Sequence, residues 1–409
     1  MAVFSIFCLE YIYFITIKLK LSRIFLIFFL IFAALSVVVK KNELRIQNST
    51  YKLIKIGLVL ICYKLAVDLY HGYGLTECLY ESLKHILPLL LLVAFEYYNV
   101  TMAEIYKYII LAVIVQFTFG VIQLVDPEFT TVELLKAIPF LGASTEETTE
   151  YLIKTSRIVG TFNIGVSYAL VLSCFALIFI TKNFYENETK DKIKNIILFI
   201  GCFLLMLFSG TRASVYATIL SILISMIIID RHLFVVNSKY IIIVSFSIVS
   251  LFYYELLYLF PDRLDKVTDS TTISKIGSYI ATLDFYFSGV HLFGLFPDEY
   301  SQALSNCYIF TYRLFGIPLV PIPYHNLAIR YLVDYGIIGL FIFGYFNYFI
   351  LKKILNKKRL DIRFLNFSLY IFILLYAMTH NTQIFYTIFF WVILSLGKEK
   401  NTHYIKFKI

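Results

Sequence analysis

The sequence predicts an all-α membrane protein, a polytopic transmembrane helix bundle of about 12 spans. Three observations predict it. Of the 409 residues, 60% are apolar, 18% aromatic and 15% charged, whereas a soluble domain is usually about 45–50% apolar and about 25% charged. Mean hydropathy is +0.79. Apolar runs close to the roughly 20 residues that cross a bilayer recur along the whole chain, without the alternation over about ten residues that marks barrel strands. Lys and Arg fall between those runs, so the net charge of +9 reads as membrane-orientation charge rather than as a nucleic-acid surface. Forty Phe and 33 Tyr exclude a disordered chain.

The expected spans are 3–17, 24–39, 53–70, 86–98, 105–125, 161–181, 195–209, 213–229, 240–260, 327–351, 364–380 and 384–397. The first carries Glu10 and runs into Lys18, Lys20 and Arg23. It reads as a span, an interfacial helix or an uncleaved targeting segment, so the count is about 11–12. Positive charge is retained on the cytoplasmic side. Lys352, Lys353, Lys357, Lys358, Arg359 and Arg363 therefore mark an inside loop. The tail with Lys398, Lys400, Lys406 and Lys408 agrees, as does the segment Lys40, Lys41, Arg45, Lys52 and Lys55. Two longer loops, 126–160 and 261–326, then fall outside, the first of them acidic. The chain divides into N-terminal helices (1–260), a large outer loop (261–326), and C-terminal helices with a basic cytoplasmic tail (327–409).

Six cysteines show no metal-ligand spacing. Cys8, Cys62, Cys174 and Cys202 lie in apolar runs; Cys78 and Cys307 lie in outer loops, where an oxidising face would let them pair. No CxxC, HExxH, GxxxxGK[ST] or GxGxxG occurs, so nothing supports a zinc or nucleotide enzyme.

An ionisable side chain in the bilayer centre costs about 2.5–3.5 kcal/mol even on the lenient scale, so charges in or at spans need a reason. Three places stand out, all on the outer face. Ser209-Gly210-Thr211-Arg212 joins two apolar runs with almost no loop, and Arg212 either snorkels to lipid phosphates or serves an anion site. Arg157 precedes the run at 161–181; it either forks onto a phosphate or meets headgroups or Glu146, Glu147 and Glu150. Asn326, Arg330 and Asp334 follow at i, i+4 and i+8 after His325, so a helix carries all three on one face. That stripe reads as a wet cavity or as an Arg330–Asp334 pair that fixes packing. His325 suits proton transfer near neutral pH. His380 at the last outer turn, and His291, Asp298, Glu299 and Arg313 in the long loop, are lesser candidates. Lys64 and Asp68, at i and i+4, read as packing.

The order of these features resembles the O-antigen polymerase and ligase superfamily of bacterial membrane glycosyltransferases. Arg157 to Asn163 opening a span, the Ser-Gly-Thr-Arg turn at 209–212, His291-Leu292-Phe293-Gly294-Leu295-Phe296, and His325-Asn326 ahead of Asp334-Tyr335-Gly336-Ile337-Ile338-Gly339 carry the resemblance. It covers roughly 155–340. His291 and Leu295 stand where the family usually has Pro and a second Gly. The resemblance implies a GT-C-like helical architecture in the bacterial inner membrane and transfer of a glycan from an undecaprenyl-pyrophosphate carrier to an acceptor hydroxyl at the outer face, with no cofactor and no metal. Arg157 and Arg212 would stabilise the leaving pyrophosphate and His325 would act as base on the acceptor. Arg330, Asn326, Asp334, Ser209, Thr211, Arg313 and His380 would contact substrate. The partners so implied are the undecaprenyl-pyrophosphate-linked oligosaccharide, membrane lipids and a chain-length regulator. The leading expectation is a polymerase that joins lipid-linked repeats into O-antigen, capsular or exopolysaccharide. A ligase that moves the finished glycan to lipid A core or another acceptor is the alternative within enzymes, and a flippase for the same lipid-linked sugar is the alternative outside them.

Overall fold

The computed structural model describes residues 8, 12–14, 19–39, 44–125, 141–143, 158–162, 165–236, 246, 250, 268–316, 318–321, 326–378, 387–399 and 404–407. Near the N-terminus, β1 (Ile12–Phe14) pairs antiparallel with β2 (Leu19–Lys20) and with β4 (Leu141–Ala143). The span expected over 3–17 is therefore not a continuous helix. Its second half, Ile-Tyr-Phe-Ile-Thr-Ile, is β-branched and aromatic, and such residues favour a pleated surface over a helix. Helix α1 (Leu21–Val39) follows, then β3 (Leu44–Gln47), which pairs antiparallel with β5 (Tyr404–Phe407). The two small sheets thus sit at opposite ends of α1.

At the β3 end, the three basic segments assigned to one side of the membrane do come together, but not as a solvated loop. Helix α2 (Asn48–Tyr70) leaves β3; α3 (Leu75–Tyr97) returns; α11 (Leu327–Leu355) ends here and α12 (Leu360–Ala377) begins. Lys353 is fully buried, and its ammonium donates to Glu96 Oε1 (2.7 Å), Thr50 Oγ1 (2.6 Å), Glu399 Oε1 (3.1 Å), Gln47 Oε1 (3.2 Å) and Ser49 Oγ (3.3 Å). Ser49 also donates to Glu399. Lys357, equally buried, donates to the Gly397 carbonyl at 3.1 Å. Burial pushes the Lys357 ammonium well below its usual range, and the neighbouring Lys353 cation acts in the same direction against Glu96 and Glu399. Lys353 is thus an internal cation and Lys357 an internal amine, a correction to their reading as loop charges. A buried ammonium is tolerable only where acceptors converge, and here they do.

The bundle continues with α4 (Met102–Val125), α5 (Gly165–Tyr185), α6 (Thr189–Phe208) and α7 (Arg212–Ile229). Helix α5 packs on α6, α7 and α12, and α2 packs between α3 and α11. The short α13 (Ile388–Ser395) is buried on every side, with Trp391 fully enclosed. It reads Ile-Phe-Phe-Trp-Val-Ile-Leu-Ser, apolar all round as a core helix must be. Among the described residues, five helices, α3, α4, α5, α11 and α12, are long and apolar enough to cross a membrane; α1 and α7 are apolar but shorter. A helical bundle with several candidate spans is thus present, and the described residues by themselves carry fewer than the expected 12. Most of 240–260 lies outside the described residues.

The segment 261–326, expected as a loop, is helical over most of its described length: α8 (Thr268–Ser288), α9 (Pro297–Ser305) and α10 (Cys307–Phe315). Helix α8 packs on α9, α10 and α11. Cys78 and Cys307 are buried free thiols and do not pair. Cys307 accepts from Ser278 Oγ at 3.4 Å instead.

Candidate functional site

Helix α11 is two helices. Gly336, at φ +69° and ψ −174°, breaks it into a first part ending at Tyr335 and a second beginning at Ile337. That backbone conformation is one only glycine adopts readily. The first part is capped by Asn326, whose Oδ1 accepts from the Ala328 and Ile329 N–H groups at 3.0 and 3.2 Å. Asn326, expected to contact substrate, is the N-cap of this helix.

A break in a buried helix frees backbone groups that must find partners. All come from other elements. The Val333 carbonyl accepts from Leu295 N–H at 2.7 Å. The Ile337 amide hydrogen-bonds the Tyr286 phenol, which itself donates to the His291 carbonyl at 2.7 Å. The Tyr63 phenol donates to the Tyr335 carbonyl at 2.7 Å and hydrogen-bonds the Gly339 amide, so it bridges the pair the break separates. The His-Leu-Phe-Gly-Leu-Phe stretch is thus docked into the break, with Gly294 (φ +94°) against the backbone of Val333 and Asp334. Two sequence features 40 residues apart form one structural unit.

Charges gather on this unit. Arg330 Nε donates to Asp334 Oδ2 at 3.1 Å, both side chains about one-third exposed (33% and 31%). The i, i+4 stripe is therefore paired, as one of its two readings expected. Helix α2 runs antiparallel to α11, since Thr50 meets Lys353 at one end and Tyr63 meets Tyr335 further along. Its Lys64 is buried, 4.8 Å from the Tyr335 ring centroid and 5.5 Å from that of Tyr331. The ammonium donates to His85 Nε2 at 3.0 Å, and His85 Nδ1 bonds the Glu81 carbonyl at 2.7 Å. These partners assign His85 as the neutral Nδ1–H tautomer. Tyr335 hydrogen-bonds Asp68, and Asp68, Arg330, Asp334 and Glu81 all act electrostatically on Lys64. Lys64 and Asp68 on α2 face the opposite sequence, Asp334 and Arg330, on α11. The pair read as packing is half of a four-residue charge ladder, and its helix-mate His71 joins it at i+7 from Lys64. That spacing is visible in the sequence; the facing helix is not.

A second group lies elsewhere. Gly210 (φ +68°) makes the turn between α6 and α7. Ser209 Oγ donates to the Met206 carbonyl at 2.6 Å, and buried Thr211 Oγ1 has no hydrogen-bond partner among the described residues. Ile158 N–H donates to the Phe208 carbonyl at 3.4 Å, which sets the segment 158–162 against this turn. Two α4 glutamines hold that segment. Gln123 Oε1 accepts from Val159 and Gly160 N–H at 3.0 and 2.8 Å, and its Nε2 donates to the Gly160 carbonyl at 2.9 Å. Gln116 bonds Thr161 through both amide atoms, at 2.7 and 3.2 Å. Neither glutamine was singled out in the sequence, where each sits inside an ordinary apolar run.

Of the expected catalytic residues, His325 and Arg157 lie outside the described residues, as does His380, and of Arg212 only the backbone, opening α7, is described. Arg313 is exposed in the last turn of α10, and His291 Nδ1 stands 3.8 Å from Glu299 Oε2. The structure brings together Arg330, Asp334, Lys64, Asp68 and the 291–296 loop, and separately Ser209, Thr211 and 158–162. The first group is carried by α2 and α11 and the second by α4, α6 and α7. Among the described residues, no cluster of three His, Cys, Asp or Glu side chains could hold a metal. The chain matches no protein-family model, no curated protein and no solved structure.

Proposed function

We propose that the protein is an inner-membrane polymerase that joins undecaprenyl-pyrophosphate-linked oligosaccharide repeats into O-antigen, capsular or exopolysaccharide. The observation that carries this reading is the docking of the 291–296 loop into the Gly336 break beside the Arg330–Asp334 pair. It unites two of the features on which the family resemblance rests, at the end of α2 opposite the basic clasp around Lys353. In this reading the clasp end faces the cytoplasm and the 291–296 loop faces outward, as retained positive charge at the clasp favours.

In the reaction, the acceptor hydroxyl oxygen attacks the anomeric carbon of the lipid-linked sugar. The carbon–oxygen bond to pyrophosphate breaks, the electron pair leaves with the pyrophosphate, and the hydroxyl proton passes to a base. Arg212 and Arg157 supply fixed positive charge to the leaving group, and the contact of Ile158 with Phe208 supports their working as one site. His325 takes the proton, and Asp334 orients Arg330 or the acceptor. A carrier of the same lipid-linked sugar is the second reading, favoured by the broken helix with its intramembrane charges. Purified protein incubated with synthetic lipid-linked repeats separates the two: elongation supports the polymerase, and intact single repeats moved across vesicles support the carrier. In cells, Arg212→Ala is expected to insert normally and to yield single repeats; long chains from that variant would remove Arg212 from the chemistry.

A further inference from the structure

Resting on the reading just given, we infer that Tyr70, His71, Phe293 and Phe296 form a stacking site for one sugar ring of the glycan. The four rings come from two places far apart in the chain, the end of α2 and the loop docked into the Gly336 break. They close on each other, with centroids 5.3 Å apart for Tyr70 and Phe296, 6.0 Å for Tyr70 and Phe293, and 4.9 Å for His71 and Phe296. All three aromatic side chains remain open to the outside, Tyr70 by 61%. Large aromatic surface left open costs solvation free energy, and here it is held rigid as well, because the loop is pinned through Leu295 and Gly294 to α11.

The rim of this patch is polar. His71 Nε2 is shielded from solvent and has no hydrogen-bond partner among the described residues. Asp334 and Glu299 both act electrostatically on the His71 ring. A buried donor or acceptor left unmade is costly, so a ligand group at that nitrogen would be favoured. A pyranose meets both demands. Its C–H face is slightly positive and packs on the negative face of an aromatic ring, while its edge carries hydroxyls that hydrogen-bond imidazole and carboxylates. A plain interfacial aromatic belt would satisfy neither the orphaned nitrogen nor the mutual ring contacts.

The test uses the full-length protein in nanodiscs and, as probe, oligosaccharide cut from the surface polysaccharide of the cells that express it. Tyr70→Leu and Phe296→Leu keep apolar character but remove the π-face; Phe296→Trp keeps it. His71→Gln removes the fourth ring together with its shielded nitrogen and is expected to weaken probe binding as the Leu variants do. Both Leu variants are expected to weaken probe binding about fivefold to tenfold, with Phe296→Trp near wild type and Phe287→Leu, a 72% exposed ring elsewhere on α8, unchanged. In elongation assays the Leu variants are expected to raise KM more than they lower kcat. Leu variants that bind and elongate as wild type does would overturn the stacking site while leaving the polymerase reading intact. Wild type that binds the probe but elongates nothing would overturn the polymerase reading and support the site. Wild type that does not bind the probe would overturn the site directly.

Discussion

The carbonyl oxygen of Leu292 stands where Gly336 would carry a side chain. The docked loop lies against α11 here, and the Leu295–Val333 hydrogen bond sits beside that approach. Gly336→Ala is therefore expected to be severe. The left-handed backbone alone costs a non-glycine residue about 1–2 kcal/mol, and the displaced loop adds the lost bond of Leu295 to the Val333 carbonyl. Gly344 is the control: it lies in the same helix with open space where a Cβ would go, so Gly344→Ala is expected to be neutral or stabilising by up to about 1 kcal/mol. Thermal unfolding in detergent compares the two, and limited proteolysis of 291–296 should rise only in Gly336→Ala.

Lys353 anchors the opposite end. Replacing it with Met leaves the Glu96 and Glu399 carboxylates buried without their cation, at a cost of about 3–5 kcal/mol. Glu96 Oε2 already lacks a hydrogen-bond partner among the described residues, so little is at hand to compensate. Adding Glu96→Gln and Glu399→Gln to the Met variant is expected to restore most of the loss, since neither buried carboxylate is then left as a charge without Lys353. Midpoints of thermal unfolding for the single and triple variants decide this; equal destabilisation in both would show that shape, not charge, holds the clasp.

Composition and apolar runs made the helical bundle legible, and three segments rich in Lys and Arg meet at Lys353. Their charge pattern could not show that Lys353 and Lys357 are internal, because burial there depends on Glu96 and Glu399, distant in the chain. The run at 3–17 failed because apolar content alone does not separate a strand from a short span; Ile12–Phe14 is paired with Leu141–Ala143, a partner no local period reveals. At the site, the Asn326, Arg330 and Asp334 stripe was legible from its spacing. The matching stripe of Lys64 and Asp68 reads as packing in the sequence, because only tertiary contact sets it against Asp334. Gln116 and Gln123 gave no signal at all: a glutamine in an apolar helix looks the same whether it faces another helix or holds a loop.

Acidification should act through His71. Burial holds its imidazole below the ordinary value near 6.5, with Asp334 and Glu299 pulling the other way. The unfolded chain takes up this proton first as pH falls, so the unfolded state binds more protons and the folded state loses stability below about pH 6.5. Above that value both states are neutral at this residue and the contribution is flat. Unfolding midpoints at pH 7.5, 6.5 and 5.5 are expected to drop less steeply in His71→Gln than in wild type. An identical slope in both would assign the acid sensitivity to other groups.

The last expectation concerns the segment before α5. Gln123 makes three hydrogen bonds to the backbone of Val159 and Gly160, and all of them lie inside the protein. Gln123→Leu keeps the volume but removes the three hydrogen bonds to the Val159 and Gly160 N–H groups and the Gly160 carbonyl, at up to about 1–3 kcal/mol each. A loss of about 2–4 kcal/mol is expected, below the sum because Gln116 still holds Thr161 and the segment can shift toward partial relief. Gln123→Glu in its protonated form keeps an acceptor for the N–H groups and an O–H donor for the Gly160 carbonyl, and is expected to fall between Leu and wild type. Because Ile158 and Phe208 join this segment to the 209–212 turn, loosening it should also lower elongation under the proposed chemistry. Hydrogen exchange at Val159 and Gly160 reads the structural half of this directly: faster exchange there, with α12 unchanged, is the expected pattern, and unchanged exchange in Gln123→Leu would mean the amide clamp does not hold the segment.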